Sequence, residues 1–164
     1  MLDVCFLPAT ELDVETIVAL RKTIWSTTYR GIYPEDMIDH FDFDWHRKKE
    51  EQRMRNSEYS SWIIATEGRN VGYLTVRETH ALQLQSLYLL KDFQRKGIGA
   101  AAMNFVKQRC FRRGRKTFFC SCVPLNQNAR RFYEKMGGRV ICEDCSDAEC
   151  WKHSVTYEFQ GGDG

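Results

Sequence analysis

Leu87-Tyr-Leu-Leu-Lys-Asp-Phe-Gln-Arg-Lys-Gly-Ile-Gly-Ala100 joins an apolar run to a helical pattern through a short polar turn that carries two glycines. Leu87 to Leu90 reads as a buried strand. Ile98, Ala102, Phe105, Val106 and Arg109 then recur at helical spacing. A strand feeding a helix through Gly97 and Gly99 leaves unpaired backbone N–H groups at the positive end of that helix. Phosphate oxygens bind there, because the amides point outward and glycines allow close approach. Arg95 and Lys96 place further positive charge beside it. The stretch therefore reads as a pyrophosphate loop, although Gly97 and Gly99 also suit a plain tight turn.

Working outward, Leu2 to Leu7 reads as a first strand ended by Pro8, and Thr10 with Asp13 forms a capping-box pattern that opens a helix. Val14, Ile17, Val18, Ile24 and Trp25 give that helix its apolar face. Pro34 starts a second helical piece, and residues 44 to 55 form a third, strongly charged one. From Ser61 the period changes. Residues 62–66, 71–77 and 81–90 are expected to form an antiparallel meander, with a hairpin turn at 67–70. After the helix from Ile98 to about Arg113 come a strand at 117–123, a helix from Asn126 to Met136 stopped by Gly137 and Gly138, and strands at 139–142 and 154–159.

The 164 residues fit one domain, assigned to 1–160 with a flexible tail at 161–164; a chain of this length buries roughly 68–70% of its unfolded surface. The first fifteen residues carry Asp3, Glu11 and Asp13 and no basic n-region, and no apolar stretch approaches the ~20 residues of a membrane span. A cytoplasmic protein with no membrane partner is expected. Seven cysteines without a secretion signal suggest reduced thiols. Cys142, Cys145, Cys150 and His153 have the ligand types of a zinc site, but they flank a hairpin loop and no metal is expected.

Charge is uneven although its net value is only +2. Lys91 to Lys116 holds nine basic residues against Asp92 alone, which suits an anionic ligand. Glu35 to Asp44 holds five acids and no Lys or Arg, which suits a cationic one or a solvated helix face. A pI of about 8.2 falls short of a nucleic-acid binder's strongly basic balance, so no nucleic-acid partner is expected.

Two motifs together carry a family resemblance. Gln94-Arg-Lys-Gly97-Ile-Gly99 matches the Q/R-x-x-G-x-G/A signature of the GCN5-related N-acetyltransferases (GNAT), and Asn126-Gln-Asn-Ala129-Arg-Arg-Phe132-Tyr133-Glu-Lys-Met-Gly137 resembles their later N-x-x-A-x-x-F-Y-x-K-x-G motif. The match covers about Trp62 to Phe159; the N-terminal third agrees in pattern only. The resemblance implies an α/β (α+β) fold with a mixed sheet of six or seven strands, about four helices, and a cleft where strands 4 and 5 splay. It also implies acetyl transfer from acetyl-CoA to an amine. By the same carry-over, the backbone of Leu87, Tyr88 and Leu89 would pair with pantetheine. Gln94, Arg95, Lys96, Gly97, Ile98, Gly99 and Ala100 would hold the pyrophosphate. Asn126, with Ala129 in the same motif, would meet the pantetheine arm, and Tyr133 would stand near the thiol.

The chemistry agrees with this assignment. A primary amine with pKa ~10 is neutral in about a thousandth of molecules at pH 7, so reaching the nucleophilic form costs about 4–5 kcal/mol unless the site helps. A leaving thiolate benefits from a proton donor, a role Tyr133 can fill, and the Leu89 N–H is placed to stabilise the oxyanion. Some relatives carry a glutamate base eleven positions before the motif glutamine. Here Gln83 stands there, with Gln85 nearby, and neither accepts a proton; Glu78, His80 and an ordered water chain remain as candidates. Arg109, Arg112, Arg113, Arg115 and Lys116 coat a helix end, with the 3′-phosphate of CoA as an alternative partner. No cysteine sits in an evident activating arrangement, which favours direct attack by the amine. Gly138 departs from the phenylalanine many relatives carry there.

The expected acceptor is a small cationic amine, because the acidic block follows Trp25, Tyr29 and Tyr33, and Tyr29 to Pro34 resembles the same region of polyamine acetyltransferases. A peptide amine, or a silent acyl-CoA-binding role, are the alternatives. A homodimer is left open.

Overall fold

A computed structural model describes residues 2–162. Seven strands form one sheet in the order β1-β2-β3-β4-β5-β7-β6: β1 Val4–Pro8, β2 Tyr59–Thr66, β3 Arg69–Glu78, β4 Leu82–Leu89, β5 Thr117–Cys122, β6 Arg139–Asp144 and β7 Ser154–Gln160. All neighbours are antiparallel except β4 and β5. Five α-helices cover it: α1 Val14–Thr28, α2 Glu35–Asp39, α3 Phe43–Arg55, α4 Ile98–Arg112 and α5 Gln127–Lys135. The expected mixed sheet is present, with one helix more than the count of about four.

The chain follows its local signals closely. Thr10 and Asp13 close a capping box over the turn that leads into α1. Glu67 and Gly68, with φ of 51° and 72°, make the two-residue turn of the β2–β3 hairpin. At the start of the expected tail, the Gly161 N–H donates to the Lys116 carbonyl at 2.8 Å, and a Cβ there would fall 2.8 Å from the Cys110 sulfur. Asp163 and Gly164, the end of that tail, lie outside the described residues.

Each face of the sheet has its own core. On one, Leu74, Val76, Leu82 and Leu84 pack with Ile98, Met103 and Val106 of α4 and Phe118, Tyr157 and Phe159 of the second half. On the other, Ile17, Leu20 and Ile24 of α1 meet Ile63 and Tyr73. An ion pair inside this second layer ties both helices to the sheet. Arg21 lies 2.6 Å from Glu50, which is fully buried, and donates through Nε to the Tyr73 hydroxyl at 3.0 Å. Burial and then the charge of Arg21 push the neighbouring His46 down to about 4, so it stays neutral. Removing either partner would leave a buried charge unpaired, which is the expensive way to break such a pair.

Two features shape β4. Between the pairs Thr75↔Ser86 and Val76↔Leu84 the register shifts, leaving Gln85 as an extra residue. Near its end the strand lies unusually close to β3, and a Cβ on Gly72 would fall 2.2 Å from the Tyr88 carbonyl oxygen. Backbone cannot yield there as a side-chain tip does. Gly72→Ala is therefore expected to destabilise the protein by about 2 kcal/mol or more in chemical denaturation, and an unchanged midpoint would contradict this close approach.

Candidate active site

β4 and β5 pair only at Gln83↔Phe119 and Leu84↔Cys120, then separate. A cleft of about 140 Å³ opens at that point, lined by Gln83, Leu84, Gln85, Phe119, Cys120 and Ser121. Beyond it, the edge of β4 that faces β5 has no strand partner. The Leu90 N–H donates to the Val71 carbonyl at 2.8 Å, toward β3. Strand alternation then turns the Leu89 N–H the other way, toward the cleft. The Leu89 carbonyl accepts from the Gln94 side chain at 3.0 Å, so this motif glutamine holds the strand end in place.

The turn into α4 has the geometry of an anion site. Arg95 and Gly97 have positive φ of 58° and 83°, and the first helical bond runs from the Ala101 N–H to the Gly97 carbonyl. The amides of Ile98, Gly99 and Ala100 are left at the positive end of a 15-residue helix. Gly99 has a second role. A Cβ there would lie 3.0 Å from Cζ of Phe132, so the second motif's phenylalanine packs closely on the first motif and favours a small residue at this position. Gly138 is explained likewise: Phe159 comes within 2.7 Å of where its Cβ would be, so the phenylalanine of relatives has no room.

α5 carries Tyr133 against Cys120, which lines the cleft. Its ring is 7% exposed, packed near Phe132, Tyr157 and Phe159. Burial, then the neighbouring Cys120, raise the phenol well above the ordinary 10, so it remains a proton donor. Burial pushes Cys120 itself up to about 12 and Cys122 to about 11, which leaves both as neutral thiols rather than nucleophiles. Asn126 caps α5, its Oδ1 accepting from the Ala129 N–H at 3.1 Å, so its carbonyl is committed to the helix.

The opposite wall is aromatic. The Tyr88 side chain packs on the α1 side of the sheet, and its hydroxyl lies 2.7 Å from that of Tyr29. Tyr29 stacks on Tyr33 at 4.1 Å, and Tyr33 meets Trp151 edge-on at 5.5 Å. Burial is the main cause that raises Tyr29 and Tyr88, and both phenols stay protonated. Trp151 lies in the long β6–β7 connection, which carries Asp147 and Glu149 and follows Glu143 and Asp144 at the end of β6. Sequence reading missed Trp151 and the Tyr88 side chain; the available signal was an aromatic set among acids in a long hairpin loop.

Several expected roles need correcting. Glu78 is held by Arg109 at 2.6 Å and by Arg113 at 3.3 Å, and His80 lies exposed in the β3–β4 turn, at the far end of β4 from the splayed segment. Neither faces the cleft as a base. Arg115 donates to the carbonyls of Thr79 and His80. This arginine cluster lies at the last turn of α4, about 20 Å from its first at 1.5 Å per residue, too far to share a CoA molecule's phosphates with Gly97. The acidic block is partly neutralised: Arg30 pairs with Glu35 and Asp39, Arg47 pairs with Asp44, and Asp42 caps α3. Cys142, Cys145 and Cys150 are exposed free thiols, and among the described residues no three His, Cys, Asp or Glu side chains gather as a metal site. No helix among them is long and apolar enough to cross a membrane.

The Asn126 cap can be measured separately from any ligand. Asn126→Ala should lower stability by about 1 kcal/mol in thermal or chemical unfolding without ligand, and no change would contradict the cap.

Comparison with known proteins agrees with this geometry. A probable N-acetyltransferase of Mycobacterium tuberculosis is 23% identical over 133 residues, 77% of this chain and 75% of its own. PaiA N-acetyltransferase from Thermoplasma acidophilum, solved in complex with coenzyme A, superposes with a TM-score of 0.80 at 18% identity, covering 96% of this chain and 99% of that one. A mutant spermidine N-acetyltransferase from Vibrio cholerae superposes with a TM-score of 0.70 at 11% identity over 96% and 94%. The family model for the acetyltransferase (GNAT) family matches residues 18–138. With the splayed strands, the amide-lined turn and the buried tyrosine, this match shows that the chain belongs to the acetyltransferase (GNAT) family and is an acetyl-CoA-dependent N-acetyltransferase.

Proposed function

We propose that the enzyme transfers acetyl from acetyl-CoA to the primary amine of a small, cationic molecule, by direct attack while both substrates are bound. The observation that carries the acceptor class is the Tyr33–Trp151 contact. It brings the α1–α2 segment, with Glu35, Asp36 and Asp39, against the β6–β7 hairpin, with Asp144, Asp147 and Glu149. Arg30 and Lys152 offset part of this charge. The charge that remains lies on the same two segments as these aromatic rings, a combination that attracts an ammonium group by charge and by ring quadrupole. The likeness in fold to a spermidine acetyltransferase is consistent with this reading.

In this scheme the pantetheine arm adds to the free edge of β4 along Leu87, Tyr88 and Leu89. The pyrophosphate sits on the turn from Gln94 to Ala100. The first turn of α5, with Asn126 and Ala129, borders the arm, and the side-chain amide of Asn126 is available to it. The neutral amine attacks the thioester carbonyl carbon, and the Leu89 N–H stabilises the oxyanion. As the carbon–sulfur bond breaks, Tyr133 gives its proton to the leaving sulfur, and the new ammonium loses a proton to water. Gln83 and Gln85 at the cleft take no part in proton transfer. The direct test follows free thiol release from acetyl-CoA across a panel of polyamines, monoamines and peptide N-termini; acetylation of peptides alone would overturn the acceptor assignment.

Two expectations are specific to this mechanism. Tyr133→Phe should lower kcat by about a hundredfold or more and leave coenzyme A affinity, measured by calorimetry, unchanged. With water as proton acceptor, kcat/KM should rise about tenfold per pH unit toward the acceptor's own pKa near 10, since only the neutral amine reacts. The raised Tyr133 phenol adds no falling limb below that range. An ascending limb that levels near pH 6–7 would reveal a protein base and refute this part of the scheme.

A further inference from the structure

Arg69 is an arginine that sequence reading passed over. It begins β3, directly after the tight Glu67-Gly68 turn, and pairs with Thr66 across the hairpin. Two residues on, the Val71 carbonyl binds the Leu90 N–H at 2.8 Å, which sets this end of β3 against the turn that precedes α4. There the guanidinium of Arg69 lies 5.0 Å from the ring centre of Phe93, and the ammonium of Lys96 lies 5.4 Å from the same ring. Phe93 is buried, so its ring is a fixed support that brings together two cations from elements 27 residues apart in sequence.

Most arginines of this chain meet an acid: Arg21, Arg30, Arg47, Arg55, Arg77, Arg109, Arg113 and Arg139 all do. Among the described residues, Arg69, Arg95 and Lys96 form no ion pair, with Asp92 or any other acid. Arg69 and Lys96 share one ring, so their charges repel, and Arg95 and Lys96 directly precede a helix N-terminus, where positive side chains are unfavourable. An anion bound beside Arg69 and Lys96 would relieve both penalties. The amides of Ile98, Gly99 and Ala100 account for a pyrophosphate, but they do not need a guanidinium supplied from β3. Coenzyme A carries one more phosphate, on its 3′-ribose oxygen, and the arginines at the other end of α4 are too distant to take it.

We infer that Arg69, paired with Lys96 across Phe93, binds the 3′-phosphate of coenzyme A and makes the enzyme select the phosphorylated cofactor. The planar fork of arginine suits two oxygens of one phosphate, and the ring behind it limits the side-chain freedom lost on binding. This inference rests on the pyrophosphate being held at Gln94 to Ala100.

Calorimetry with acetyl-CoA and with acetyl-3′-dephospho-CoA tests it on the wild type, Arg69→Ala and Arg69→Lys. The wild type should prefer acetyl-CoA by roughly ten- to a hundredfold, the range of a charge-assisted contact. Arg69→Ala should lose that preference by binding acetyl-CoA more weakly while its affinity for the dephospho form is unchanged, and Arg69→Lys should recover part of it. Equal wild-type affinities for the two forms, or equal losses for both in Arg69→Ala, would overturn the assignment while leaving the pyrophosphate site intact. No wild-type binding of either form would overturn the donor-site reading itself.

Discussion

The parting of β4 and β5 is the constraint on which the rest of the structure depends. Parallel strands that stay paired bury their hydrogen-bonding edges and leave no room for a ligand. Here the pairing lasts for two residue pairs, and the extra residue in β4, Gln85, falls where it ends. A bulge bends its strand and increases the local twist, so β4 leaves β5 while remaining bonded to β3. The cost of an unpaired inner edge is offset elsewhere: Gln94 takes the Leu89 carbonyl, and Gly72 lets β3 press against the end of β4. The cleft is therefore held open by the fold itself.

The two motifs are best understood as one packed unit. Gly97 is favoured by its backbone conformation, whereas Gly99 is kept small by the ring of Phe132 packed on it. Tyr133 follows Phe132 on the same helix, so packing that fixes α5 against the start of α4 also fixes the height of the phenol beside the cleft. Burial of this tyrosine then does chemical service. It keeps the hydroxyl protonated, while the burial of Cys120 itself keeps that neighbouring thiol neutral.

The fold, and the elements that carry the proposed donor site, were legible because their determinants are local. Amide groups at a helix start, a cap at Asn126 and the alternation of Val155, Tyr157 and Phe159 all operate over a few residues; most elements came within about two residues of their expected bounds, while β2 starts three residues earlier, at Tyr59. Charge was less legible, since what a charged side chain does depends on its partner. Glu78 looked available as a base until Arg109, 31 positions later, took it. Glu35 and Asp39 looked like a free anionic surface until Arg30 folded back on them. Arg69 attracted no notice, because its neighbour in space, Phe93, belongs to a different element.

The proposed acceptor side was hidden for a related reason. Its aromatic set combines Tyr29 and Tyr33 after α1, Tyr88 on β4 and Trp151 between β6 and β7, segments that no spacing rule connects. The Arg21–Glu50 pair supports it indirectly, since Arg21 holds Tyr73, whose ring lies 5.5 Å from that of Tyr88. In the proposed scheme the two substrates are recognised by different kinds of structure. Acetyl-CoA would meet backbone groups and glycines, which leave little freedom to vary. The amine would meet side chains from three separate segments, each of which can change without disturbing the cleft, so that acceptor choice could diverge while the fold and its donor site stay the same.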